Sequence, residues 1–289
     1  MVGGVNIISP VVLVPGMWHG SWAWSLVTER LAGRGVPSIA VDLDGHGLKR
    51  HSPTARWARP FDSAAYAAEP TPSAGVTASS AAATLVEQLR RIGGGRPCVV
   101  VAHSMAGCVA TAAVETAPEL FAELVYLAAF APVTGVGAVQ SLATPENAGE
   151  QVSRLLIGDA AAIGALRIDP GDRARHADIR DAFYHDVEER TAEAAISLLG
   201  DDGPLGIPGE AVSVTLQRFG AVSHTYIVCL DDRAVPLALQ RRFVDEIDAV
   251  SAHATTVVEL ATSHSPFLSA PDDLAAAIAL VHQNAVSVH

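Results

Sequence analysis

Lysine is nearly missing from this sequence: Lys49 stands alone, and arginine supplies every other basic side chain. The 19 basic residues face 31 acidic ones, for a net charge of −12, and nowhere gather into a basic run. Binding to a phosphate backbone or an anionic bilayer needs such a cluster. Neither nucleic acid nor a membrane surface is therefore an expected partner. No apolar run is long and uninterrupted enough to span a bilayer. Cysteine is scarce too. Cys98, Cys108 and Cys229 fall in apolar segments with no zinc-type spacing between them. An odd, buried set points to reduced thiols and a cytoplasmic setting. The N-terminus, Met1-Val-Gly-Gly-Val-Asn6, lacks the basic start of a secretory leader, so none is read there. No internal repeat is found.

What the chain has in quantity is apolar residues, 49% of 289, enough for a large core. That length suits one elaborated α/β domain better than two independent ones. Short aliphatic runs at Val11–Val14, Pro37–Asp42, Cys98–Val101, Leu124–Phe130, His224–Leu230 and Thr255–Leu260 read as strands of a buried parallel sheet. Between them, Ser21–Ala32 and Thr77–Ile92 read as helices, and Pro271 opens a last one. The alternation breaks between residues 133 and 211, where helical patches such as Ile179–Leu199 alternate with turn clusters. The division expected is a core of residues 1–132 and 212–289 with an inserted helical cap at 133–211. Residues 50–76 are irregular and carry Trp57, Phe61 and Tyr66. A loop of that length is expected to act as a lid or pocket wall.

The segment Cys98-Val-Val-Val-Ala-His-Ser104-Met-Ala-Gly107 places a serine at the tip of a strand–turn–helix. Such a nucleophile elbow lifts the hydroxyl above the sheet and sets it over a helix N-terminus. Residues two positions either side must be small, and here they are Ala102 and Ala106. An acyl-transfer site also needs two backbone N–H donors for the oxyanion. Met105 follows the serine, and Met17 lies in the early turn Pro15-Gly16-Met17-Trp18-His19-Gly20. Trp18, Trp22 and Trp24 read as packing rather than cofactor stacking. Asp42, Asp44 and His46 lie at a strand end where such residues shape turns, so no metal site is read there. Two later strands end in Asp231-Asp232-Arg233 and in Ser263-His264-Ser265. Serine, an aspartate pair and histidine thus fall at three strand C-termini, where active sites of open α/β sheets lie.

These residues carry a specific resemblance. Val12-Leu-Val-Pro-Gly-Met-Trp-His-Gly-Ser-Trp-Ala-Trp24 resembles the opening strand and oxyanion loop of the α/β-hydrolases, in the branch of plant methylesterases, hydroxynitrile lyases and bacterial esterases. Arg218-Phe-Gly-Ala-Val222 and Tyr226-Ile-Val-Cys-Leu-Asp-Asp-Arg-Ala-Val-Pro236 resemble its acid-bearing segment. Ser263-His264-Ser265-Pro-Phe-Leu-Ser-Ala-Pro271 resembles its histidine loop. The resemblance covers both halves of the sheet well, and residues 50–76 and the cap poorly. It implies an α/β-hydrolase fold, with a mostly parallel sheet flanked by helices, and it singles out Asp232 as the triad acid. The branch usually has histidine where this chain has Pro15, and glycine where it has Ala102 and Ala106. Pro15 thereby lacks a side chain that braces the loop. The branch's lyases carry lysine directly after the histidine, a position held here by Ser265.

The activity expected is that of a cofactor-free, metal-free serine hydrolase acting on a small-molecule ester or lactone. Ser104 is the expected nucleophile, His264 the general base and then acid, and Asp232 the orienting carboxylate. Met17 and Met105 are the expected oxyanion donors, with Gly16, Trp18, His19 and His103 as candidates for substrate contact. A lyase or cyclase on the same scaffold, or a non-catalytic small-molecule receptor, are the alternatives, because fold does not fix function. At most a second copy of the chain, as a homodimer, joins the substrate among expected partners.

Overall fold

The computed structural model describes residues 10–288. The N-terminal stretch read as free of a leader, and the first residues of the expected core, lie outside them. The first half runs β1 (Val11–Val14), α1 (Ser25–Gly33), β2 (Ser38–Ala40), α2 (Ser63–Ala68), α3 (Ala78–Gly93), β3 (Cys98–His103), α4 (Ala106–Thr116) and β4 (Phe121–Leu127). Short elements follow: α5 (Ala160–Ile163), β5 (Ala165–Arg167), α6 (His176–Phe183), α7 (Glu189–Leu198), β6 (Asp202–Pro204) and α8 (Gly206–Gly209). The chain closes with β7 (His224–Cys229), α9 (Leu237–Val250), β8 (Thr256–Leu260), α10 (Pro266–Ser269) and α11 (Pro271–Val288).

Six strands form one all-parallel sheet in the order β2-β1-β3-β4-β7-β8. Alternation along each strand divides the core in two. Val12, Val100, Leu124 and Val228 point to the layer of α3, α4 and α9, which contributes Leu85, Val109 and Phe243. Val11, Val99, Val125 and Ile227 point to the layer of α1 and α11, which contributes Leu31 and Ile278. Covered on both faces, β3 is buried throughout, which is why it reads as a continuous aliphatic run.

Several expectations change in detail. Ser21–Trp24 is a 3-10 turn ahead of α1 rather than its first turn. The strand expected over Leu124–Phe130 begins and ends three residues earlier, and Ala128 takes φ +43 as the chain leaves the sheet. Ile179–Leu199 is two helices, because Tyr184–Glu188 breaks away to meet the loops at the strand ends. The stretch between β4 and β7 also holds an antiparallel ribbon of β5 and β6, so it is not purely helical.

Residues 50–76 are not irregular either. They include α2, whose Tyr66 is fully buried and donates its hydroxyl to Ile168 O at 3.2 Å. Beside it the buried Arg167 guanidinium pairs in bidentate fashion with Asp202, at 2.6 and 2.8 Å, and donates to Tyr66 O. Arg56 reaches Asp169 at 2.8 Å. This segment is therefore packed onto the ribbon by hydrogen bonds and buried charge.

Candidate active site

Ser104 follows β3 directly and adopts φ +54, a left-handed conformation that costs a non-glycine residue about 1–2 kcal/mol. Three backbone hydrogen bonds hold it there. Ser104 N–H donates to Leu127 O, while Phe130 N–H and Gly107 N–H donate to Ser104 O, each at 3.1 Å. The elbow is thus tied to the end of β4 as well as to its own helix. Close packing explains the small residues around it. A Cβ on Gly107 would overlap the Phe130 carbonyl oxygen, and Ala102 and Ala106 are buried. Gly16 presses on the elbow from the other side: a Cβ there would lie 2.7 Å from Ser104 Cβ and 2.8 Å from His103 Nδ1. Gly16 is needed for that close approach. The left-handed residue of the loop is Trp18, at φ +64.

Asp232 and His264 come from the ends of β7 and β8. Asp232 is buried, and its Oδ1 accepts from Ala234 N–H at 2.7 Å and Val235 N–H at 2.9 Å. Its Oδ2 lies 2.7 Å from His264 Nδ1. With a carboxylate as acceptor, Nδ1 of His264 carries the hydrogen, so in the neutral ring the lone pair is on Nε2. Asp231, by contrast, is exposed; its backbone oxygen lies 2.9 Å from His185 Nε2. The histidine loop is anchored from two directions. Ser263 N–H donates to Asp186 Oδ2 at 2.8 Å, and His103 Nε2 lies 2.9 Å from His264 O.

Among the described residues, no hydrogen bond engages the N–H of Met17 or of Met105. Both residues, with Trp18 and Ser104, line a narrow apolar cavity closed from the other side by Leu142, Leu156, Leu166 and Phe183. Gly16, His19 and His103, candidates for substrate contact, do not line it. The two histidines are buried in packing instead, with rings 5.8 Å apart. Burial pushes the His103 imidazole well below its usual range, with His264 and His19 adding repulsion. No residue of 50–76 lines this cavity, which removes the expected pocket wall. A larger groove, of about 620 Å³, opens at the opposite ends of β4 and β7 against α11, away from the strand C-termini.

Asp42 and Asp44 brace their turn. Asp42 accepts from Ser21 N–H at 2.6 Å and Leu48 N–H at 3.0 Å, and Asp44 accepts from the Thr84 hydroxyl at 2.6 Å. Among the described residues no group of three or more His, Cys, Asp or Glu side chains is arranged to hold a metal ion. No described helix is long and apolar enough to cross a membrane.

Residues 11–277 match the model of the alpha/beta hydrolase family, most of the chain including all three strand ends. The chain belongs to the α/β-hydrolase family. This α/β-hydrolase is 26% identical to methylesterase 7 of Arabidopsis thaliana over 270 residues, 92% of the chain and 93% of the relative. It is 28% identical to the pyrethroid hydrolase of Sphingobium wenxiniae over 192 residues, 63% of the chain and 62% of the relative. A solved pyrethroid hydrolase superposes with a TM-score of 0.74 at 22% identity, over 95% of this chain and 98% of that one. Polyneuridine aldehyde esterase superposes at 0.71 with 20% identity, over 95% and 99%. At such identities the two structures speak for the fold alone.

The α/β-hydrolase site also contains residues that sequence reading passes over. Phe183 closes the cavity and its ring centroid lies 5.9 Å from that of His264. Tyr184 bonds His19. Both belong to the stretch that the family resemblance covers poorly, and no local motif marks them.

Proposed function

We propose that this α/β-hydrolase cleaves carboxylic esters of small molecules through an acyl-enzyme on Ser104. The observation that carries the reading is the 2.7 Å hydrogen bond from His264 Nδ1 to the buried Asp232, at the same strand ends as the left-handed Ser104. That bond leaves His264 Nε2 as a base, and no other buried His–carboxylate pair accompanies a strained serine among the described residues. The methylesterase and pyrethroid hydrolase names of its relatives support ester cleavage.

In the first step Ser104 Oγ bonds to the ester carbonyl carbon while His264 Nε2 takes the hydroxyl proton. The carbonyl oxygen becomes an oxyanion facing Met17 N–H and Met105 N–H. The bond to the alkoxide then breaks as His264 returns its proton to the leaving oxygen. Water repeats the sequence on the acyl-serine: His264 takes its proton, the acid departs, and Ser104 recovers a hydroxyl. Asp232 holds the imidazole tautomer and offsets the imidazolium charge throughout. Residues 133–211 act as a cap, since they supply the apolar roof that keeps water from the acyl group.

The test is labelling with a fluorophosphonate together with hydrolysis of a short p-nitrophenyl ester. One label is expected on Ser104, and Ser104→Ala is expected to abolish labelling and lower kcat by about 10⁴-fold or more. Equal labelling of the alanine variant would overturn the assignment.

A further inference from the structure

The loop that presents Met17 is tied to the stretch between β4 and β7 by a chain of hydrogen bonds. His19 Nδ1 lies 2.9 Å from Met17 O. A carbonyl only accepts, so Nδ1 carries the hydrogen. Burial of His19 drives its pKa down to about 3, which keeps the ring neutral and leaves a lone pair on Nε2. That lone pair lies 2.7 Å from the hydroxyl of Tyr184, a fully buried side chain in the break between α6 and α7. The hydroxyl therefore donates to Nε2, and a directed chain runs from Tyr184 through His19 to the Met17 carbonyl. Two more bonds from the same region reach the next residue. Gly200 N–H donates to Trp18 O at 2.7 Å, and the Trp18 indole N–H donates to Leu166 O at 2.9 Å.

We propose that Tyr184 and His19 are positioning residues for the oxyanion loop. The Tyr184–His19 chain fixes the carbonyl side of Met17, and the contact of Gly16 with Ser104 fixes the amide side. Between them the Met17 N–H keeps one direction. Neither residue touches the reacting atoms. The inference rests on the reading of Ser104 as nucleophile and of Met17 N–H as an oxyanion donor.

Tyr184→Phe deletes one hydroxyl and keeps the ring, while His19→Ala removes the whole chain. His19→Asn retains an amide N–H able to reach the Met17 carbonyl. With a short p-nitrophenyl ester, Tyr184→Phe is expected to lower kcat about 3- to 10-fold. His19→Ala is expected to lower it about 10- to 100-fold, less than outright loss of an oxyanion donor. KM is expected to stay within about twofold, and His19→Asn to recover most of the loss. Affinity for a trifluoromethyl ketone, whose hemiketal oxyanion uses the same donors, is expected to fall in step with kcat/KM. Unchanged kcat in folded Tyr184→Phe, a loss confined to KM, or an asparagine variant no better than alanine would overturn the proposal. If the wild type itself fails to label at Ser104, the parent reading fails. If it labels and the variants are neutral, only this inference does.

Discussion

Replacing Asp232 by asparagine is the sharpest perturbation this site allows, because it exchanges one oxygen for nitrogen and spares the fold. Asparagine keeps an oxygen for the N–H groups of Ala234 and Val235, at 2.7 and 2.9 Å, so the turn after β7 retains its bonds. At the Oδ2 position, 2.7 Å from His264 Nδ1, an amide nitrogen now stands. It donates, so Nδ1 must accept, and the ring's single proton moves to Nε2. A base already carrying its proton cannot take one from Ser104. The same exchange in a serine-protease triad costs about 10⁴ in kcat, which is about 5.4 kcal/mol at 1.36 kcal/mol per decade. The expectation here is a comparable fall in kcat for p-nitrophenyl ester hydrolysis, with a melting temperature close to wild type. Asp231→Asn is the control, since that side chain is exposed, and it should change kcat less than about twofold. The reverse ranking, or a folded Asp232→Asn protein within tenfold of wild type, would refute the tautomer argument.

Gly16→Ala sets a methyl 2.7 Å from Ser104 Cβ, and should cost about 1–3 kcal/mol in urea unfolding together with most of the esterase activity. Arg167→Met leaves Asp202 buried and unpaired, and a loss of about 3–5 kcal/mol is expected in the same assay. Stability should also fall with acid. Folding holds His19 at about 3 and His224 at about 4, and His103 well below its ordinary value near 6.5, so the unfolded chain binds more protons below about pH 6.5. Urea unfolding at pH 7 and pH 5 should therefore differ by up to about 2 kcal/mol per histidine, lower at pH 5, with the raised Glu123 opposing. Finally, mandelonitrile should release no cyanide above the Ser104→Ala background. The residue after His264 is a buried, uncharged Ser265, and departing cyanide needs a fixed cation there.

Much of this protein is dictated by short-range sequence. The aliphatic run before Ser104, the small residues beside it and the acid and histidine at two later strand ends each state a local requirement. A parallel sheet places strand C-termini together whatever lies between them, so order alone brings the ends that carry Ser104, the Asp231–Asp232 pair and His264 to one side of the sheet. The choice of Asp232 over Asp231 comes from the family resemblance; in the structure Asp232 is buried and Asp231 exposed.

What only the tertiary structure decided depends on contacts between segments far apart in the chain. Residues 50–76 read as an irregular lid because their apolar residues show no period. Their partners, Arg167 and Asp169, lie about a hundred residues away, and such pairing leaves no local signature. Tyr184 reads as one more residue of a long helix. Its role depends on a neutral His19 165 positions earlier, and that neutrality is a property of the packed interior. Gly16 is legible as a flexible turn residue, but its actual requirement is the absence of a Cβ against Ser104. Local chemistry marked the candidate residues at the strand ends; the packing of residues 133–211 against the sheet decided what surrounds them.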